Sequence, residues 1–115
     1  MTTQTLTEFL LARIAEDESE QTQPEGYRTW HRADCAAVES EFYRACDCGL
    51  PARVLAECKA KRRIVDEHYS SDPHDTGDAA HDQCVLCGEA FPCLTLRLLA
   101  LPHADHSDYG EAWRP

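Results

Sequence analysis

The feature that most constrains this chain is a cluster of thiols, Cys84-Val85-Leu86-Cys87-Gly88 followed by Pro92-Cys93. Two thiolates three positions apart can grip one ion only if the backbone folds into a tight turn, which Gly88 can complete with a positive φ. That is half of a tetrahedral zinc site, and Cys93 supplies a third ligand. Cys93 falls at the start of a helix, where the helix dipole and free N–H groups favour a thiolate. For the fourth ligand, His81 is the local candidate in a His-x-x-Cys-x-x-Cys-x5-Cys pattern. His68, at the end of the preceding helix, would instead let the ion clamp two helices together, and it is the preferred choice. The plain alternative is that these thiols are reduced packing residues. A redox Cys-x-x-Cys is a weaker rival, because that motif follows a strand in a βαβ setting absent here.

Composition bounds the rest. A chain of 115 residues suits a single domain, which buries about two-thirds of its unfolded surface. Eleven basic against twenty-one acidic side chains leave a formal charge of -10, which disfavours attraction to phosphate backbones and anionic lipid. No nucleic-acid or membrane partner is therefore expected. No apolar run reaches the ~18 residues of a membrane span, and Met1-Thr2-Thr3-Gln4-Thr5 carries neither a basic region nor a cleavage site. A cytoplasmic location is the expectation. There, an odd count of seven cysteines reads as metal ligands and buried small hydrophobes rather than a disulfide framework.

Three helices can be read. The first opens at Thr5, where Thr5-Leu6-Thr7-Glu8 is a capping-box pattern ahead of Leu6, Phe9, Leu10 and Ile14. Glu16, Asp17, Glu18 and Glu20 then lead into a polar stretch from Gln21 to Gly26 that predicts a turn. The second starts at Pro51 and carries Val54, Leu55, Cys58, Ile64 and Val65, with Glu57 spaced to pair with Lys61, and runs to His68 or Tyr69. The third covers Pro92 to Leu101. There Leu94, Leu98 and Leu101 form one stripe that Leu96, Leu99 and Ala100 widen, so the helix is assigned to the core. Between the first two, Cys35, Val38, Phe42 and Cys46 fall at helical spacing, although Tyr27 to His31 would also suit a short strand. Residues 70–82 read as an exposed acidic loop, in which Asp72, Asp75, Asp78 and Asp82 lack calcium-hand spacing and count as loop charge.

Other clusters carry less. His31, Cys35, Cys46 and Cys48 could form a second metal site, but the spacing is unusual, and Cys35 and Cys58 are better read as core residues. His103-Ala104-Asp105-His106 follows an apolar helix and is assigned to capping its carbonyls rather than to a metal. Lys59, Lys61, Arg62 and Arg63 form a basic patch on an acidic protein, a solvated face that could steer an acidic partner. Catalytic patterns are missing: there is no phosphate-cradling glycine loop, nucleophile elbow or His-Glu-x-x-His helix. A zinc deaminase needs His-x-Glu before Pro-Cys-x-x-Cys, and His81-Asp82-Gln83 supplies neither the glutamate nor the proline. Four protein ligands would leave no water to activate, which makes the expected zinc structural.

Three long blocks, in order, carry a family resemblance. They are Phe9 to Glu18, Pro51-Ala52-Arg53-Val54-Leu55-Ala56-Glu57 with Lys61-Arg62-Arg63-Ile64, and Cys93-Leu94-Thr95-Leu96-Arg97-Leu98-Leu99-Ala100-Leu101-Pro102 through Ala104-Asp105-His106 to Trp113-Arg114-Pro115. Together they are similar to a family of small proteins of unknown function from actinobacteria and their phages. The resemblance implies a phage or prophage setting. It also implies a histidine after the Lys-Arg-Arg helix, mapping to His68 and favouring it over His81. Departures are Leu50 in place of an aspartate cap, and His103 and Ser107 in place of tyrosine and proline.

The reading is a mainly α, single-domain helical protein with a Cys-rich zinc-binding turn. Its metal ligands are Cys84, Cys87, Cys93 and His68, with His81 as the alternative. Tyr109 and Trp113 fold back as anchors. The expected function is non-enzymatic: a phage or prophage accessory factor that binds a host or phage protein through the Lys59, Arg62 and Arg63 face or apolar residues near Trp113. Alternatives are an acidic DNA mimic that inhibits a nucleic-acid enzyme, and a hydrolase with an open zinc site.

Overall fold

The computed structural model describes residues 4–22, 35, 48–71 and 82–115. Most of the region from Tyr27 to Gly49, with His31 and Cys46 of the suggested second site, lies outside them, as do His81, Asp72, Asp75 and Asp78. The described residues are mainly helical: α1 (Leu6–Thr22), α2 (Leu50–Glu67) and α3 (Leu94–Ala100), with 3-10 turns at Leu101–His103 and Glu111–Trp113. None of these helices is long and apolar enough to cross a membrane. The chain falls into two compact units, Met1–Arg13 with Lys61–Pro115, and Ile14–Ala60.

Thr5 caps α1 as its sequence suggests: its hydroxyl oxygen accepts the Glu8 N–H at 3.1 Å, and the hydroxyl donates to the Glu8 carboxylate at 3.0 Å. One orphan helix donor is thereby satisfied. The helix continues through the polar residues as far as Thr22.

In the first unit the core forms around Phe9, which is fully buried. The rings of His103, His106, Tyr109 and Trp113 surround it, with centroids 6.1, 5.6, 6.0 and 5.1 Å away. The first three meet it edge-on, the arrangement that sets ring edges against a π-face. The Arg13 guanidinium lies 5.1 Å over the same ring, and Arg13 also bonds to His106. His103 and His106 therefore serve as ring partners of the core, a role their position past α3 did not suggest. Tyr109 and Trp113 fold back as anticipated. Gly110 permits this, because a Cβ there would come within 3.0 Å of the Trp113 ring.

In the second unit, Cys35 and Cys58 are buried. Glu57 accepts from Arg53 at 3.1 Å, one turn earlier, where the sequence suggested Lys61 one turn later. In the first unit, Arg63 and Glu67 form the same kind of pair at 2.9 Å. Exposed pairs of this spacing contribute only a few tenths of a kcal/mol each.

The third helix departs from expectation. Leu96 and Ala100 are fully buried, while the stripe assigned to the core is open: Leu94, Leu98 and Leu101 are 41%, 50% and 39% exposed. A nearly all-round apolar helix carries little periodicity to say which side faces in, and here the side bearing Leu96 and Ala100 is the one that is covered.

The difference in burial separates two truncations of large apolar side chains. Phe9→Ala should destabilise the protein by about 3–5 kcal/mol, as for other buried aromatics, whereas Leu98→Ala should cost less than about 0.5 kcal/mol. Urea unfolding followed by circular dichroism measures both, and a large Leu98 effect would show that its side is covered.

Candidate metal centre

The local fold around the thiols is a short hairpin pinned on both sides. Ser70 and Cys84 form one antiparallel bridge, Gln83 and Ala90 another. The Val85 N–H donates to the Tyr69 carbonyl at 2.9 Å and the Ser71 N–H to the Gln83 carbonyl at 2.8 Å. On the other side the Cys84 N–H donates to Glu89 at 2.7 Å and the Phe91 N–H to Asp82 at 3.1 Å. The turn closes with the Gly88 N–H donating to the Cys84 carbonyl at 2.8 Å. Gly88 has φ 74°, the left-handed conformation the sequence requires of it. A Cβ would meet nothing within 4 Å there, so the demand is on conformation and not on space.

This hairpin brings Cys84 and Cys87 to the first turn of α3, where Cys93 is the N-cap residue. His68 follows the last residue of α2. The ligating atoms of His68, Cys84, Cys87 and Cys93 all lie within 4.8 Å of one another, a cluster that could hold a metal ion. His68 Nδ1 is 3.3 Å from Cys84 Sγ and 3.5 Å from Cys93 Sγ. Cys84 and Cys93 are buried, His68 is half-buried and Cys87 is exposed. Three thiols and one imidazole are a soft, tetrahedral donor set, and four donors complete such a coordination sphere without a water.

The electrostatics of the thiols are divided. Burial raises the Cys84 thiol, but the Cys87 N–H, the Cys87 thiol, the Leu86 N–H and His68 together outweigh it and bring its pKa from 9.0 to about 7. Those turn amides supply the hydrogen bonds that a metal thiolate needs. Cys93 goes the other way: burial first, then the neighbouring Cys84 and Cys87 sulfurs, push it up to about 11 against the Leu96 N–H. The helix start does not by itself secure a thiolate at Cys93, because burial and neighbouring sulfurs win. A cation at the centre would reverse that balance.

Asp82 was legible only as loop charge. It is 1% exposed, and among the described residues neither carboxylate oxygen has a hydrogen-bond partner. Cys48 is half-buried and Cys35 buried, while His31 and Cys46 fall outside the described residues.

The two thiol shifts give the metal-free protein a signed pH dependence. Cys84, depressed to about 7, contributes stability that is present above 9.0 and lost as pH falls through about 7. Cys93, raised to about 11, contributes stability present below 9.0 and lost as pH rises through about 11. A thiolate absorbance titration of metal-free protein should show a step near pH 7 that disappears in Cys84→Ser. Absence of the step would remove the hydrogen-bonding role of the turn.

No curated protein and no solved structure matches the chain. A family described as of unknown function (DUF6221) matches residues 3–115. The chain belongs to that family of unknown function.

Proposed function

We infer that the cluster holds one structural zinc ion and that the protein is a non-enzymatic, zinc-stabilised factor that works by binding another protein. The reading rests chiefly on the donor set: three sulfurs and one imidazole nitrogen within 4.8 Å of one another. The turn amides directed at Cys84 support it. Zinc suits this set because it has no geometric preference of its own, accepts both sulfur and nitrogen, and is four-coordinate in closed sites. The ion would tie the end of α2 to the start of α3 through the hairpin that backbone hydrogen bonds already form. With every position taken by protein, it would act on stability, by on the order of 10 kcal/mol in comparable sites, and not on a substrate.

A phage or prophage accessory role in an actinobacterial host, and a cytoplasmic location there, complete the proposal, from the resemblance of the three sequence blocks. The charge of -10 favours a protein partner over a nucleic acid.

Protein purified without chelator should carry one zinc per chain by elemental analysis. His68→Ala and Cys87→Ser should each lose the metal and lower the melting temperature, while His81→Ala should retain it. Seven freely titrating thiols with no metal would sink the zinc assignment, and retention by His68→Ala with loss in His81→Ala would move the fourth ligand into the loop.

The same preparation should hydrolyse no generic ester or phosphodiester and show no salt-sensitive affinity for duplex DNA. Metal-dependent hydrolysis abolished by Cys87→Ser would instead reveal an open coordination position and an enzyme.

A further inference from the structure

Large exposed apolar side chains stand next to every one of the four clustered residues. Tyr69 follows His68, Val85 and Leu86 lie between Cys84 and Cys87, and Leu94 follows Cys93; they are 55%, 49%, 59% and 41% exposed. Because the four ligating atoms lie within 4.8 Å of one another, these neighbours are gathered around one point. Leu98 on α3 and Leu101 at the start of the following 3-10 turn continue the line from Leu94 at intervals of four and three residues. Such spacing is the seam into which another helix packs its side chains. Contiguous exposed apolar surface, when it is large, is often a binding site on a soluble protein.

Charge selects among occupants. A second copy of this chain would bring another net charge of -10 against the first, and like charge opposes such pairing. Of the charged residues near the ligands in sequence, Asp66, Glu67 and Glu89 are exposed acids; they stand against Arg97 on α3 and Arg63, which pairs with Glu67. A helix with an apolar seam flanked by lysine or arginine meets both conditions.

We propose that the metal centre organises a docking surface, made by Tyr69, Val85, Leu86, Leu94, Leu98 and Leu101, for a basic amphipathic helix of another protein. The proposal rests on the zinc reading above, since the ion would fix the hairpin that carries Val85 and Leu86 against the helix that carries the leucines. This surface is distinct from the apolar residues near Trp113, whose ring packs on Phe9 and Tyr109.

The probe is a fluorescein-labelled peptide of about 18 residues, long enough to form a helix, built only of leucine and lysine with the leucines on one face. Two controls are a peptide of the same composition with the leucine spacing scrambled, and one with glutamate replacing lysine. Anisotropy is read with the full-length, zinc-loaded protein, and zinc content is measured on the same sample. The amphipathic basic peptide should bind at least about tenfold more tightly than either control, and Leu86→Ser with Leu98→Ser should weaken it by at least about tenfold. That double variant should keep its zinc and its melting temperature, because both side chains are exposed. Chelation should abolish the preference.

Equal binding of the scrambled peptide would reduce the effect to bulk charge and overturn the proposal, as would wild-type affinity in the double variant. A homodimer by sedimentation that the double variant dissolves would overturn it in favour of a second copy. One zinc per chain with no discrimination among peptides refutes the docking surface and leaves the zinc reading intact. Absence of zinc refutes both, even if the peptide binds.

Discussion

Three sulfur atoms and an imidazole nitrogen share a space in which every pair lies within 4.8 Å, and the surrounding structure depends on how that crowding is resolved. As neutral thiols they pack; as thiolates without a cation they repel one another. The protein shows both tendencies at once, with Cys84 drawn toward ionisation by turn amides and Cys93 pushed away from it by burial. A divalent cation would remove the conflict, because it turns mutually repelling anions into common ligands. The hairpin, the end of α2 and the start of α3 converge on this one point, and their relative placement within the unit follows from it.

Much of this centre was legible in the sequence, since ligand chemistry is local: the spacing of Cys84, Cys87 and Gly88 dictates a turn, and Cys93 sits at a helix start. The starts of α1 and α2 were legible too, because Thr5 and Pro51 act on their own first turns. What escaped was whatever depends on distant partners. Leu94, Leu98 and Leu101 have the spacing of a core stripe, yet α3 is apolar nearly all round, broken only by Thr95 and Arg97, and only tertiary packing decides that Leu96 and Ala100 are covered. Glu57 has a basic residue four positions away in either direction, so spacing could not choose Arg53 over Lys61. Asp82 reads as loop charge because burial of a lone carboxylate is costly and rarely assumed.

The exposed leucines and the metal cluster bear on one another physically. A short helix cannot turn two faces inward, and Leu96 and Ala100 already occupy the buried side. The residues between and beside the ligands must point away from them, so closing the hairpin on the cluster drives Val85 and Leu86 toward solvent. In this arrangement the same turn that converges donors inward displays apolar side chains outward. Such side chains oppose solubility unless they meet something, and the surplus of acidic residues on the chain offsets that cost when they do not.

The two centres of the first unit differ in how far apart their members lie along the chain. His68 and Cys93 are 25 residues apart, whereas Arg13 and His106 are separated by 93. At about 5–20 residues per second of synthesis, the rings that enclose Phe9 emerge roughly 5–20 s after α1 does. For that interval α1 presents Leu6, Phe9 and Leu10 with nothing from the carboxy-terminal segment to cover them. The thiol cluster can assemble before the aromatic one, and the α1 segment is the part of this unit that must wait for its partner, a window in which chaperones or neighbouring nascent chains compete for the same apolar stripe.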